Sequence, residues 1–237
     1  MERPKAGIDK NGVVLAVDTT TPAGGVALLK GTKLLAEINQ DSPVTFSERL
    51  LPSIDFALRA NGLKIRDVEG FAVAAGPGSF TGIRIGLSTI KSFAYASGKP
   101  VAAVSTLRAL AYKLRHASKR LICPLLDAKK NEIYAALFES RESILQEIVP
   151  QGAYSPDAFF CRLPAHRIIH FIGSGVDIHR FLIFQYLKDK SRLSKRSSFI
   201  AYEVGLLGFG ILRQKRGVDI HHVEPIYLRK SQAEEKD

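Results

Sequence analysis

Apolar positions come first in unbroken runs, then at helical spacing. Residues 12–18, GVVLAVD, form a continuous apolar stretch closed by Asp18, the pattern of a strand covered on both faces. The turn TTTPAG leads into residues 25–30, and Gly31-Thr32 lead into residues 33–38, so three strands follow one another. The period then lengthens. Leu50, Leu51, Ile54 and Leu58 recur at helical spacing, with Thr45 and Glu48 placed as a capping box and Gly62 as a stop. Pro52 inside that stretch predicts a kink or a restart. A strand over 70–75, a glycine turn, a helix to about residue 97, a strand over 100–104 and a helix to about residue 115 complete the series.

The pattern then begins again. Residues 121–127, LICPLLD, form a second buried strand ending in Asp127; the turn AKKN leads into 132–138, and a third strand covers 144–149. A helix over 155–161, a strand over 167–173, a second Gly-x-Gly at Gly173 and Gly175, and helices over 177–187 and 199–213 follow. The order β-β-β-α-β-turn-α is thus written twice. This predicts an α/β protein of two similar lobes, each a mixed sheet flanked by helices, facing each other across a ligand cleft. The division falls at residues 1–105 and 106–237, with the last segment a candidate to return to the first lobe.

Composition narrows the class. With 46% apolar residues in 237 the chain buries a real core. The polar start MERPKAGIDKNG lacks a leader's apolar region, and the late stretch 201–212 is too short for a membrane span. A cytoplasmic protein is expected, with Cys123 and Cys161 reduced and buried. The formal charge of +11 favours a polyanionic partner, and basic residues cluster over 113–120, 188–196 and 213–216.

The stretch GPGSFTG, Gly76–Gly82, is neither a Walker A loop, for no lysine follows its last glycine, nor a dinucleotide fingerprint, because three residues rather than two separate Gly78 from Gly82. Ser79 does not sit in Gly-x-Ser-x-Gly. Two readings remain. Free N–H groups at Gly76, Gly78, Ser79, Thr81 and Gly82 bind a phosphate, with Asp18, Thr19 and Asp127 around a magnesium nucleotide. Otherwise Ser79 or Thr81 caps the helix, the glycines serve close packing, and the aspartates cap turns.

The helix after the turn has only Arg84 and Lys91 as charges, on one face with Ser88 and Tyr95. A surface helix needs an apolar stripe of about 100°, so this one is expected to be covered on two sides, by its own sheet and by either a partner or another segment. Gly86, Thr89 and Ser92 would admit a close neighbour. Catalytic candidates are sparse. His166 and His170 lie on a predicted strand, where residues four apart are about 13 Å apart, and His221 and His222 point opposite ways on another. No metal site is expected.

The stretches VLAVDTTT, GPGSFTGIRIG, VSTLRALA, LLDAKKNEIYAALF and VEPIYLR stand in the order found in the TsaB (YeaZ) family, and the chain resembles that family over nearly its whole length. The resemblance implies the actin/Hsp70/sugar-kinase superfold. It implies a non-catalytic, dimerising partner of TsaD in threonylcarbamoylation of the tRNA adenosine beside the anticodon, working with the ATPase TsaE. TsaD carries a metal-binding His-x-x-x-His; the matching positions here are Thr106 and Leu110, which cannot hold that ion. The interface carried over lies on the helices at 47–61 and 81–96, through Leu50, Leu51, Ile54, Ile85, Gly86, Thr89, Ser92 and Phe93. Alone, the same face is expected to pair two copies. Phe46 stands where many relatives have histidine, and its ring is expected to extend the apolar surface. No cofactor is required; ATP or ADP with magnesium at the subunit joint is a candidate, as is tRNA on the basic clusters. The alternatives are an autonomous ATPase or phosphotransferase of the same superfold and, behind it, a glycoprotease-like metallopeptidase.

Overall fold

The computed structural model describes residues 7–229 apart from 43, 118 and 219. Within these, the chain forms two compact units: one runs up to Thr106 and adds Phe199–Ile226, the other holds Leu107–Ser198 and continues from Tyr227. In chain order the first unit contains β1 (Val13–Asp18), β2 (Ala23–Lys30), β3 (Lys33–Asp41), α1 (Phe46–Arg59), β4 (Gly70–Gly76), α2 (Phe80–Ser97) and β5 (Val101–Ser105). Helix α3 (Thr106–Tyr112) starts at the boundary. The second unit contains β6 (Arg120–Lys129), β7 (Glu132–Arg141), β8 (Ile144–Tyr154), α4 (Pro156–Phe160), β9 (Ile169–Ile172), α5 (Gly175–Ile178), α6 (Arg180–Leu187) and β10 (Ser191–Leu193), and α7 (Ala201–Arg213) belongs to the first unit again.

The strand order is β3-β2-β1-β4-β5 in the first sheet and β10-β9-β6-β7-β8 in the second. Hairpins join β1 to β2 and β2 to β3 antiparallel, whereas β4 and β5 run parallel to β1 after helical crossovers. The second sheet repeats this, with β7 and β8 antiparallel and β9 and β10 parallel. The duplicated element order is therefore a duplicated topology.

The first sheet is covered on both faces, as the unbroken runs require. One face gathers the large side chains Leu15, Val17, Leu28, Phe71 and Val73 with Leu50, Ile54 and Leu58 of α1 and Ile83, Leu87 and Ile90 of α2. The other face is small. Gly205 of α7 lies against Ala16 and Leu29, and Gly208 against Ala72 and Ala102. Ala201, Val204, Gly205, Gly208, Phe209 and Leu212 make one buried helical stripe. That stripe needs a flat, alanine-lined surface, and β1, β4 and β5 supply it, so α7 belongs to the first unit rather than to the 106–237 division.

Several local expectations change. Helix α1 continues through Pro52, which faces solvent, so water can reach the Glu48 carbonyl that the proline leaves without its usual partner. Thr45 forms no capping box; its hydroxyl bonds the Glu48 carboxylate at 3.0 Å instead of the backbone. The helix expected over 177–187 is two helices, because His179 takes φ −101° and ψ 15° between them. The strand expected over 167–173 shortens to Ile169–Ile172, since Arg167 closes a turn onto the Pro164 carbonyl at 3.0 Å. His221 and His222 lie in a 3-10 turn, not a strand. Cys123 is buried but Cys161, at the exposed end of α4, is not.

Candidate functional site

The glycine turn closes onto the β1–β2 hairpin. Gly78, Gly82 and Gly86 are each four residues apart and fall on one line at the start of α2. A methyl group on Gly78 would collide with the Thr20 carbonyl, on Gly82 with the Thr19 carbonyl, and on Gly86 with the Thr19 hydroxyl. Ser79 N donates to the Thr20 carbonyl at 2.7 Å, and the Thr19 hydroxyl donates to the Gly82 carbonyl at 2.7 Å. Ser79 caps the helix, its hydroxyl accepting from Gly82 N at 3.2 Å. Thr81 stands exposed. Asp18 is buried; its Oδ1 accepts from the Thr20 N–H at 2.9 Å and the Thr20 hydroxyl at 2.6 Å.

The hairpin thus fills the space on the Cβ side of these three glycines. Of the two readings of the turn, close packing accounts for every contact of its three glycines.

The second unit has its own version. Gly76 ends β4 and Gly173 follows β9, and both adopt φ +118°, a conformation that favours glycine. Gly175 packs against the backbone of Leu125, Leu126 and Asp127. Asp127 works inside its own hairpin: Oδ1 accepts from Lys129 N at 2.9 Å and Oδ2 pairs with Lys129 Nζ at 2.8 Å. Burial pushes its carboxyl upward, but the side-chain and backbone hydrogen bonds from Lys129 outweigh burial and hold it below the usual carboxylate range.

The residues expected at a partner interface divide. Leu50 and Ile54 point into the core, and Gly86 is buried against Thr19 and Val73. Ile85 and Phe93 are half-buried, Phe93 stacking on Phe71 with ring centres 6.1 Å apart. Thr89 is half-buried and Ser92 exposed, its hydroxyl donating to the Ser88 carbonyl at 2.9 Å. The outward surface is carried by Leu51 and Phe56 on α1, 54% and 67% exposed, and by Tyr95 on α2, 77% exposed. Sequence reading missed Phe56, although it falls off the Leu50–Ile54–Leu58 stripe and so had to face away from the core. Phe46 does not extend this surface. Its ring folds over Gly24 and carries the Arg49 guanidinium 3.9 Å from its centre.

Among the described residues no group of three or more His, Cys, Asp or Glu side chains is placed to hold a metal ion. Thr106 and Leu110, four apart on α3, are both buried. Among the described residues, no helix is long and apolar enough to cross a membrane.

Comparison with known proteins places this architecture. A ROK hexokinase from Thermus thermophilus superimposes with a TM-score of 0.50 at 11% identity, over 85% of this chain and 99% of that one. A Pseudomonas aeruginosa protein described as similar to peptidase YEAZ superimposes with a TM-score of 0.79 at 25% identity, over 92% of this chain and all of that one. The tRNA threonylcarbamoyladenosine biosynthesis protein TsaB of Bacillus subtilis is 30% identical over 94% of this chain and 96% of its own length. The TsaB of Haemophilus influenzae is 30% identical over 93% and 94% respectively. The family model for TsaD, tRNA N6-adenosine threonylcarbamoyltransferase, matches residues 40–236. Two mixed sheets of one topology, flanked by helices, make this an α/β protein of the actin/Hsp70/sugar-kinase class. Within that class the chain belongs to the TsaB (YeaZ) family and to the biosynthesis of tRNA threonylcarbamoyladenosine.

Proposed function

We propose that the chain is a non-catalytic subunit that binds a TsaD-type transferase through the outward face of α1 and α2. The observation that carries this reading is that Leu51, Phe56 and Tyr95 are each more than half exposed on two adjacent helices of one unit. Large apolar side chains exposed together on one pair of helices suit a protein contact. The absence of catalysis is supported by the resemblance, which sets Thr106 and Leu110 against the transferase's metal ligands; both are packed inside, and leucine cannot ligate a metal. In the absence of TsaD the same face pairs two copies of this chain.

The test is co-purification with TsaD from the same source, followed by reconstitution of tRNA modification. Leu51→Asp with Tyr95→Asp should abolish co-purification and modification while leaving the melting temperature within a few degrees, since neither side chain is in the core. Modification of tRNA by the isolated chain, or undiminished pairing of the double variant, defeats the reading.

A further inference from the structure

Two basic runs some 70 residues apart in the chain meet in the second unit. Residues 113–120 link α3 to β6, and residues 188–196 surround β10. Arg196 donates to the Lys113 carbonyl at 2.7 Å, Arg120 to the Leu114 carbonyl at 3.3 Å, and Arg167, from the turn before β9, to the Lys119 carbonyl at 3.1 Å. Three guanidiniums from three segments are thus fastened to one stretch of backbone. Arg115 lies 3.6 Å from the Tyr112 ring centre and bonds the Tyr112 carbonyl at 2.8 Å. Arg192 bonds the Asp189 and Ser191 carbonyls at 2.7 and 2.9 Å.

Backbone carbonyls orient these arginines without neutralising them. Among the described residues Arg120, Arg192 and Arg196 form no ion pair within 4 Å, whereas Arg167 meets a carboxylate, sharing Glu139 with Arg141 at 2.7 and 2.8 Å. Asp189 is engaged by Lys190 at 2.9 Å. The crowding shows on two histidines. Arg115 first, then burial, then Arg196 hold His116 below its ordinary pKa; burial first, then Arg120 and Arg192, do the same to His170. A hollow of about 350 Å³ lined by Lys119, Arg120, Arg167, Ile168 and His170 lies within this surface.

We propose that this face of the second unit binds the phosphate backbone of tRNA. The proposal rests on the reading that the chain serves tRNA threonylcarbamoylation, and it adds where the RNA is held. Pre-oriented arginines suit phosphate oxygens, to which they donate in pairs. Two of them, Arg120 and Arg167, line a hollow, which fits a ridge-shaped polyanion better than the flat surface of an anionic membrane.

The experiment measures binding of a fluorescent in vitro-transcribed tRNA to the chain in complex with TsaD, as a function of salt. The patch variant carries Arg120→Gln, Arg167→Gln, Arg192→Gln and Arg196→Gln. A control removes four cations from the first unit, with Lys10→Gln, Lys30→Gln, Lys33→Gln and Arg66→Gln. Each phosphate contact contributes about 0.7–0.9 to the slope of log Kd against log salt. The patch variant should therefore lose about 3 from that slope and bind roughly tenfold or more weakly at moderate salt, while the control stays within about twofold of wild type. Arg192→Gln with Lys195→Gln, two outward side chains, is the second variant should the fourfold one fail to fold; it should lose about 1.5 from the slope. Retained TsaD binding with lost tRNA affinity supports the proposal. Unchanged tRNA affinity of a folded patch variant overturns it, as does an equal loss in the control, or binding of phosphatidylserine vesicles by the patch without binding of tRNA. If the wild-type chain fails to bind TsaD while the patch variant still loses tRNA affinity relative to it, the partner reading alone falls.

Discussion

Replacing Gly82 by alanine separates two explanations of the glycine turn by the sign of its effect. Helix propensity favours alanine over glycine by about 1 kcal/mol, so a turn that merely tolerates glycine should be stabilised. The structure predicts the opposite. The new methyl group would run into the Thr19 carbonyl, a backbone atom that cannot swing aside, and the nearby bond from the Thr19 hydroxyl to the Gly82 carbonyl at 2.7 Å would be strained. Overpacking of this kind costs about 1–3 kcal/mol, and loss of the hydrogen bond adds about 0.5–1.5 kcal/mol. After the propensity gain the net loss is about 1–3 kcal/mol, or roughly 3–10 °C in Tm for a chain of this size. Gly86→Ala meets a hydroxyl that can rotate, so its loss should be smaller. Gly210, in α7, has open space around its Cβ position and no neighbour to displace; Gly210→Ala should raise Tm by about 1–4 °C. Differential scanning calorimetry of the three variants reads the series. A Tm for Gly82→Ala at or above wild type would refute the packing argument.

The remaining predictions are simpler. Thr19→Val should destabilise by about 1–2 kcal/mol, because the buried hydroxyl is lost from the Gly82 carbonyl; urea titration checks it, and an unchanged midpoint contradicts the role given to that bond. In native protein an aromatic disulfide reagent should label Cys161 quickly and leave Cys123 untouched, since burial encloses Cys123 and pushes its thiol well up; two fast thiols per chain would be inconsistent with that burial. Acid should weaken the fold in two windows. His116 and His170 have depressed folded pKa values, so below about pH 6.5 the unfolded chain binds more protons and stability drops. Glu139 is held low by hydrogen bonds from Arg167 and Arg141, so its contribution is present above the usual glutamate pKa and disappears as pH falls through the folded one. The urea midpoint should decline from pH 7.5 to 5.5 and recover partly with added sulfate; a midpoint that rises toward pH 5.5 would show that the arginines do not crowd these histidines.

Much of the fold was legible because its signals are local. Unbroken apolar runs ending in Asp18 and Asp127 marked the central strands, and the turns after them marked the hairpins. The alternation in β4, where Phe71 and Val73 lie on the face of α1 and α2 while Ala72 meets Gly208 of α7, also stood in the sequence. It told that one face must receive large side chains and the other a close backbone, but not which helix would come. For that reason the sequence alone places α7 only loosely. Its stripe of Gly205 and Gly208 specified closeness, and the matching alanines lay more than 100 residues earlier.

Gly86 shows the same limit at the site. A glycine on a helix face reports that something comes near; it does not report whether that neighbour belongs to the same chain. In α2 the neighbour is Thr19, so the small-residue line Gly78–Gly82–Gly86 is spent on the β1–β2 hairpin and cannot also meet a partner. What faces outward is then set by the helical period. Positions off the glycine line and off the Ile83–Leu87–Ile90 stripe, Ser88, Ser92 and Tyr95 among them, form the exposed side. With Leu51 and Phe56 on α1 exposed as well, any protein partner of this helix pair must engage large side chains, not a close-packed glycine groove. A charge at Gly86 would therefore disrupt the unit itself, and a charge at Tyr95 is the substitution that isolates binding from folding.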